Sequence, residues 1–209
     1  MHLSITTTII IITVLVSLGG FNNHKIMEDL IFYPPAVTKQ NQWYRFFTCG
    51  LIHADYMHLI FNMLVLYSFG DKVEDAFVQL FGPVGKWIYL GMYISALLVS
   101  LLPTYFKNRN NYNYRSLGAS GAVSAVIFSA LILEPTGGIY FYFIPMRNFV
   151  FAPLYLLFSA LMDRRGGGNI NHSAHLWGSV YGLAFTIIAC YLVGFPIVQY
   201  AIQQIRQAV

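Results

Sequence analysis

Six stretches of this chain, 3–19, 56–70, 87–106, 117–133, 148–162 and 173–194, contain no Asp, Glu, Lys or Arg. Each comes close to the roughly 20 apolar residues that a helix needs to cross the hydrocarbon core of a bilayer. An unpaired backbone polar group in hydrocarbon costs several kcal/mol, so such stretches must satisfy their amides internally, as helices. The composition agrees: 57% of residues are hydrophobic and 10% charged, against about 25% charged in soluble domains. The expectation is an all-α integral membrane protein of one domain, residues 1–209, with six transmembrane helices.

Residues 20–55 form the long first connection. They contain Pro34, Pro35 and the run QWYRFFTCGLIHA, in which Trp, Tyr and Arg belong at headgroup level. We therefore expect an interfacial loop there. The first apolar stretch resembles the core of a secretory signal but lacks preceding basic residues, and is read as a retained span. The formal charge of +4 is spread over the connections without a basic face, which speaks against nucleic acid. Cys49 and Cys190 stand apart in apolar surroundings, with no metal or redox spacing. No internal repeat is visible, which counts against transporters built from duplicated halves.

Alternating spans place the starts of the second, fourth and sixth on one side of the membrane. The unusual polar residues gather at those three starts: His53, His58 and Asn62; Ser120; His172 and His175. Interhelical hydrogen bonding would explain any one of them, but their clustering points to a water-accessible site below one surface. His58 and Asn62 are four apart, on one helix face and about 5–6 Å from one another, so both can donate to the same anion. His53 and His58 are five apart and diverge by about 140° on a helix, and HExxH is absent, so a metal site would have to be assembled across spans. No metal or other cofactor is expected.

Two small-residue stripes stand out. Gly121, Ala125 and Ser129 recur every fourth residue, as do Ala174, Gly178 and Gly182, a pattern that lets helices approach closely in lipid. Meeting of the two stripes would bring Ser120 beside His175, a hydroxyl next to a base that titrates near neutrality. Ser120 at a helix start also has free backbone N–H groups nearby, which favour developing negative charge. A plain helix-capping role for Ser120 fits the same position.

These residues together resemble the rhomboid family of intramembrane serine proteases. The likeness rests on WYR at 43–45, His53, the H-x-x-x-N of His58 and Asn62, GASG at 118–121 and AHLWGSVYG at 174–182. It implies a minimal six-helix rhomboid bundle and hydrolysis of a peptide bond in or beside a substrate's transmembrane segment by a Ser-His dyad. By position, Ser120 matches the nucleophile and His175 the general base. His58, Asn62 and the Ser120 backbone N–H match the oxyanion hole. Arg45, Gly178, Gly182 and Glu74 match residues of structural support. The implied partners are transmembrane protein substrates and the lipid bilayer, and the implied location is a bacterial inner membrane with the site toward the outer face.

Ser124 departs from the pattern, because many family members carry there an aromatic that stacks on the catalytic histidine. His172 and Trp177 are candidate substitutes, and Asp55 or Asp163 could approach His175 from the same side. The implied orientation leaves eight basic residues outside, Lys25, Lys39, Arg45, Lys107, Arg109, Arg115, Arg164 and Arg165. The positive-inside rule alone predicts the reverse. The short fifth span, with Pro153, Phe149, Phe151 and Phe158, adjoins the glycine-rich RRGGGNIN, and the two together are expected to form the gate. Two other classes compete. A proton-conducting channel would carry polar residues through its full depth, and a non-proteolytic rhomboid-like binder of transmembrane helices would have no need of both Ser120 and His175.

Overall fold

The computed structural model describes residues 3–141, 143–166, 168 and 170–209. Gly167 and Asn169, part of the glycine-rich connection assigned to the gate, lie outside the described residues. The described chain is mostly helical. Ile5–Asn22 is α1, His24–Leu30 α2, Pro34–Gln40 α3, Arg45–Thr48 α4, Tyr56–Phe81 α5 and Gly85–Asn108 α6. Then come α7 (Ser120–Leu133), a hairpin of β1 (Gly138–Phe141) and β2 (Ile144–Arg147), α8 (Asn148–Arg165), α9 (His172–Leu192) and α10 (Ile197–Ala208).

By length and composition, three helical stretches can cross a bilayer, Ile5–Asn22, Tyr56–Asn108 and His172–Leu192, and Ser120–Leu133 is a shorter apolar helix. With these apolar helices the chain is an integral membrane protein. Within the second stretch α5 folds back on α6 through a turn at Gly82–Val84, where Gly82 takes φ +67 and a Cβ on Gly85 would strike the Phe77 carbonyl. Buried residues of α5, α6 and α7, among them Leu66, Phe77, Tyr89, Met92 and Val126, form the main core.

Several boundaries depart from expectation. The connection at 20–55 is not a plain loop but holds α2, α3 and α4, with Pro34 at the favoured first position of α3. The second helix runs past Gly70 and the acidic residues Asp71, Glu74 and Asp75 to Phe81, and Glu74 has partners inside the bundle. Its carboxylate accepts from the backbone N–H groups of Ile5 and Thr6, both at 3.0 Å, and from the Thr6 hydroxyl at 3.2 Å. A negative charge thus sits on the otherwise unpaired donors that open α1. The fourth helix begins at Ser120, not 117. The hairpin and α10 had no counterpart among the expected elements.

The first connection is fastened to the segment that leads into α7. Phe32 and Ser116 exchange backbone hydrogen bonds of 3.0 and 3.1 Å, and the Gly118 N–H donates to the Cys49 carbonyl at 2.9 Å. Arg45 is buried and donates through Nη1 to the Glu28 and Ile31 carbonyls at 2.9 and 2.7 Å, and through Nε to Gln42. Its guanidinium therefore closes the connection on itself, and that connection in turn holds the start of α7.

Candidate active site

The two small-residue stripes meet in register. A Cβ added to Gly178 would strike the Gly121 carbonyl oxygen, and one added to Gly182 would strike that of Ala125. One turn deeper, the Ser129 and Thr186 hydroxyls hydrogen-bond at 2.6 Å. Helices α7 and α9 thus touch backbone to backbone over two successive turns and through a pair of hydroxyls on the third. The third pair, Ser129 with Thr186, extends the α9 stripe one turn beyond Gly182.

At the open end of this seam the Nε2 atom of His175 lies 2.8 Å from the Ser120 Oγ. Ser120 is the first residue of α7, so its backbone N–H has no intrahelical acceptor. Gly118, two residues earlier, has φ +107, and His58 packs where its Cβ would be, with Cε1 2.6 Å from that position. Only glycine combines this backbone conformation with this contact. Asn171 fixes the start of α9: its Oδ1 accepts from the Ala174 N–H and the Thr104 hydroxyl, both at 3.1 Å, and its Nδ2 lies 3.4 Å from the Ser116 Oγ. Asn171 thereby joins α6, α9 and the approach to α7. The Asn before HSAH is an N-cap signal, readable from the sequence but not singled out there.

Ser120, His175, His58 and Asn62 all line one cavity of about 860 Å³. The Asn62 side chain donates from Nδ2 to the His58 carbonyl at 3.0 Å, which holds its amide on the cavity wall and leaves a second N–H. His53 does not line this cavity. It is fully buried, its Nδ1 is 3.0 Å from the Ser17 hydroxyl of α1, and its ring meets that of His58 edge-on at 4.9 Å. Burial, and next the neighbouring His58, push the His53 pKa down to about 3, so it is a neutral spacer behind His58.

The candidate substitutes for an aromatic at Ser124 separate clearly. The His172 ring is 6.1 Å from that of His175, centroid to centroid, and leans on Phe158. Trp177 is exposed. The Asp55 carboxylate caps α5 by accepting from the His58 N–H at 2.8 Å. Among the described residues no carboxylate is hydrogen-bonded to His175. On the Nδ1 side its neighbour is the Tyr155 hydroxyl of α8, at 3.5 Å, a residue that sequence spacing did not single out. No group of three His, Cys, Asp or Glu side chains is gathered as a metal site among the described residues.

The family model for the rhomboid domain matches residues 40–192, well over half of the chain. The chain belongs to the rhomboid family. It is 26% identical over 173 residues to the putative rhomboid protease YdcA of Bacillus subtilis, a match covering 77% of each chain. It is 30% identical over 136 residues to the mitochondrial presenilin-associated rhomboid-like proteins of Bos taurus and Homo sapiens, covering 63% of this chain and 34% of either relative. The match therefore spans about a third of the length of those mitochondrial relatives. Because bacterial and mitochondrial proteins both match, the likeness carries membrane residence and not the compartment, and the expectation of a bacterial inner membrane is not carried forward.

Proposed function

We propose that this rhomboid is an intramembrane serine endopeptidase that cuts transmembrane segments of other proteins with Ser120 and His175. The observation that carries this reading is the 2.8 Å approach of the His175 Nε2 to the Ser120 Oγ in a cavity among apolar helices. In the proposed mechanism His175 takes the Ser120 proton as the Oγ attacks the scissile carbonyl, then passes it to the leaving amine. The oxyanion is received by the Ser120 backbone N–H, the His58 ring and the free N–H of Asn62, donors that the fold already holds around the cavity. Water then releases the acyl group, with His175 again as base.

In the same proposal α1, α5, α6, α7, α8 and α9 are the six membrane-crossing helices, and α2 to α4 lie in the interface. Helix α7 has 14 residues, a rise of about 21 Å against a hydrocarbon core of about 30 Å. With its far end at one interface, Ser120 sits roughly 9 Å below the other. The irregular backbone just before it is tolerated at that depth because the first connection covers it. Substrate enters between α5 and α8. Both helices line the cavity, yet α8 packs on α7, α9 and the hairpin and has no extensive contact with α5. The end of the bundle that holds Ser120 faces the outside.

The test is cleavage of a reporter transmembrane segment in proteoliposomes by the wild type, Ser120→Ala and His175→Ala. The wild type is expected to cut and both variants to lose at least 10³-fold in rate. Cleavage by either variant at the wild-type rate would overturn the proposal.

A further inference from the structure

For Nε2 of a neutral imidazole to accept the Ser120 proton, the other ring nitrogen, Nδ1, must carry the hydrogen. Something must then receive that Nδ1–H, or the ring is free to turn or to adopt the unproductive tautomer. The Tyr155 Oη is 3.5 Å from His175 Nδ1. Asp55 is occupied as the cap of α5, and His172 meets His175 only ring to ring at 6.1 Å.

The surroundings of Tyr155 fit an acceptor at that place. A phenol that accepts from Nδ1 still has its own O–H to donate elsewhere. The ring is held by Phe151, one turn back on α8, at 5.3 Å between centroids, and by Phe128 of α7 at 5.7 Å. Ser124, one turn after Ser120 and one turn before Phe128, is buried and small, and Phe128 packs on the Tyr155 ring. The neighbour that position 124 does not provide for His175 comes from another helix, as a hydroxyl beside Nδ1 and not as a stacked ring.

We propose that Tyr155 is the positioning residue for the His175 imidazole, receiving Nδ1–H and so holding Nε2 toward Ser120. This rests on the reading of Ser120 and His175 as nucleophile and base. It has one consequence for the cycle. Tyr155 is carried by α8, the helix that borders the proposed substrate entrance, so the base is aligned only while α8 is seated against α7 and α9. Displacement of α8 to admit a substrate uncouples the base, and return of α8 restores it.

Tyr155→Phe keeps the ring packed between Phe151 and Phe128 and removes only the acceptor. With the full chain in proteoliposomes and a reporter transmembrane segment, kcat is expected to fall about tenfold, as one hydrogen bond in the transition state implies, with KM within twofold of wild type. Wild-type kcat, or a raised KM at unchanged kcat, would overturn the inference. A second measurement does not depend on turnover: selective ¹⁵N labelling of histidine in the detergent-solubilised protein. His175 is expected to show a protonated Nδ1 in the wild type and a mixture of tautomers in Tyr155→Phe, and identical signals in the two would likewise overturn it. Ser120→Ala separates this inference from the reading beneath it. Loss of cleavage in Ser120→Ala together with wild-type behaviour of Tyr155→Phe defeats the role of Tyr155 alone, whereas undiminished cleavage in Ser120→Ala defeats the dyad itself.

Discussion

Helix α9 packs on α6, α7 and α8, and the last two meet it in different ways. Toward α7 it presents Gly178 and Gly182 against backbone carbonyls, with Ser129 and Thr186 closing the seam below. Toward α8 it presents larger side chains, and α8 itself leaves Leu154, Leu157, Phe158 and Leu161 exposed. In lipid there is no hydrophobic force to press helices together, so close backbone approach and its dispersion contacts hold a pair of helices. The α7–α9 seam has these contacts over two turns and a hydroxyl pair on the third, while α8 has Pro153 inside it and an open flank toward α5. One side of α9 therefore fixes the distance between Ser120 and His175, and the other is the edge at which the proposed function has substrate enter.

The strongest way to break this comparison is to put a side chain into the seam. Gly178→Val places its Cβ on the Gly121 carbonyl oxygen, which no rotamer change relieves. We expect at least a 100-fold loss of labelling by a fluorophosphonate and a destabilisation of about 3 kcal/mol, read by thermal unfolding in detergent. Wild-type labelling in this variant would mean that the seam does not set the dyad distance. A smaller effect is expected from closing the other side. Cysteines placed at Phe61 on α5 and at Leu154 on α8 are to be bridged by a bifunctional reagent, the native Cys49 and Cys190 being buried. Cleavage of a transmembrane reporter should fall at least tenfold, while labelling by the small fluorophosphonate stays within threefold, because the crosslink blocks entry and not chemistry. Equal loss of both would make α8 part of the rigid site. The smallest effect should come from the lipid-facing side of α8. Leu157→Ala should shift thermal stability by less than about 0.5 kcal/mol and leave labelling unchanged, and a large loss would reveal a packing partner for that face.

The seam could be read from the sequence and the contact of α8 with His175 could not, for a physical reason. Gly121, Ala125, Gly178 and Gly182 advertise a contact through their own spacing, since close helix approach needs small residues at four-residue intervals. Ser120 and His175 follow from that contact because each adjoins a stripe. Tyr155 has no such signal: it reaches His175 through the packing of three helices, and neither its neighbours in sequence nor its periodicity records that. The first connection is legible in its aromatic and basic residues, but its three short helices are not, although Pro34 and Pro35 are good helix starters. Helix α10 carried a readable sign, the apolar recurrence of Ile197 and Ala201 that it buries against the bundle, among glutamines that resemble an unstructured tail. Glu74 is matched to a supporting residue only through the family resemblance, and its partners, the backbone N–H groups of Ile5 and Thr6 at the start of α1, have no sign in its sequence neighbourhood.

The central claim is that Ser120 is a nucleophile activated by His175, and one measurement addresses it most directly. The wild-type protein in detergent is treated with a fluorophosphonate and the adduct is located by peptide mass spectrometry, with Ser120→Ala and His175→Ala treated in parallel. The account predicts a single adduct on Ser120, none in Ser120→Ala, and labelling slowed at least 10³-fold in His175→Ala. An adduct on another residue, or equal labelling of the wild type and Ser120→Ala, would contradict it.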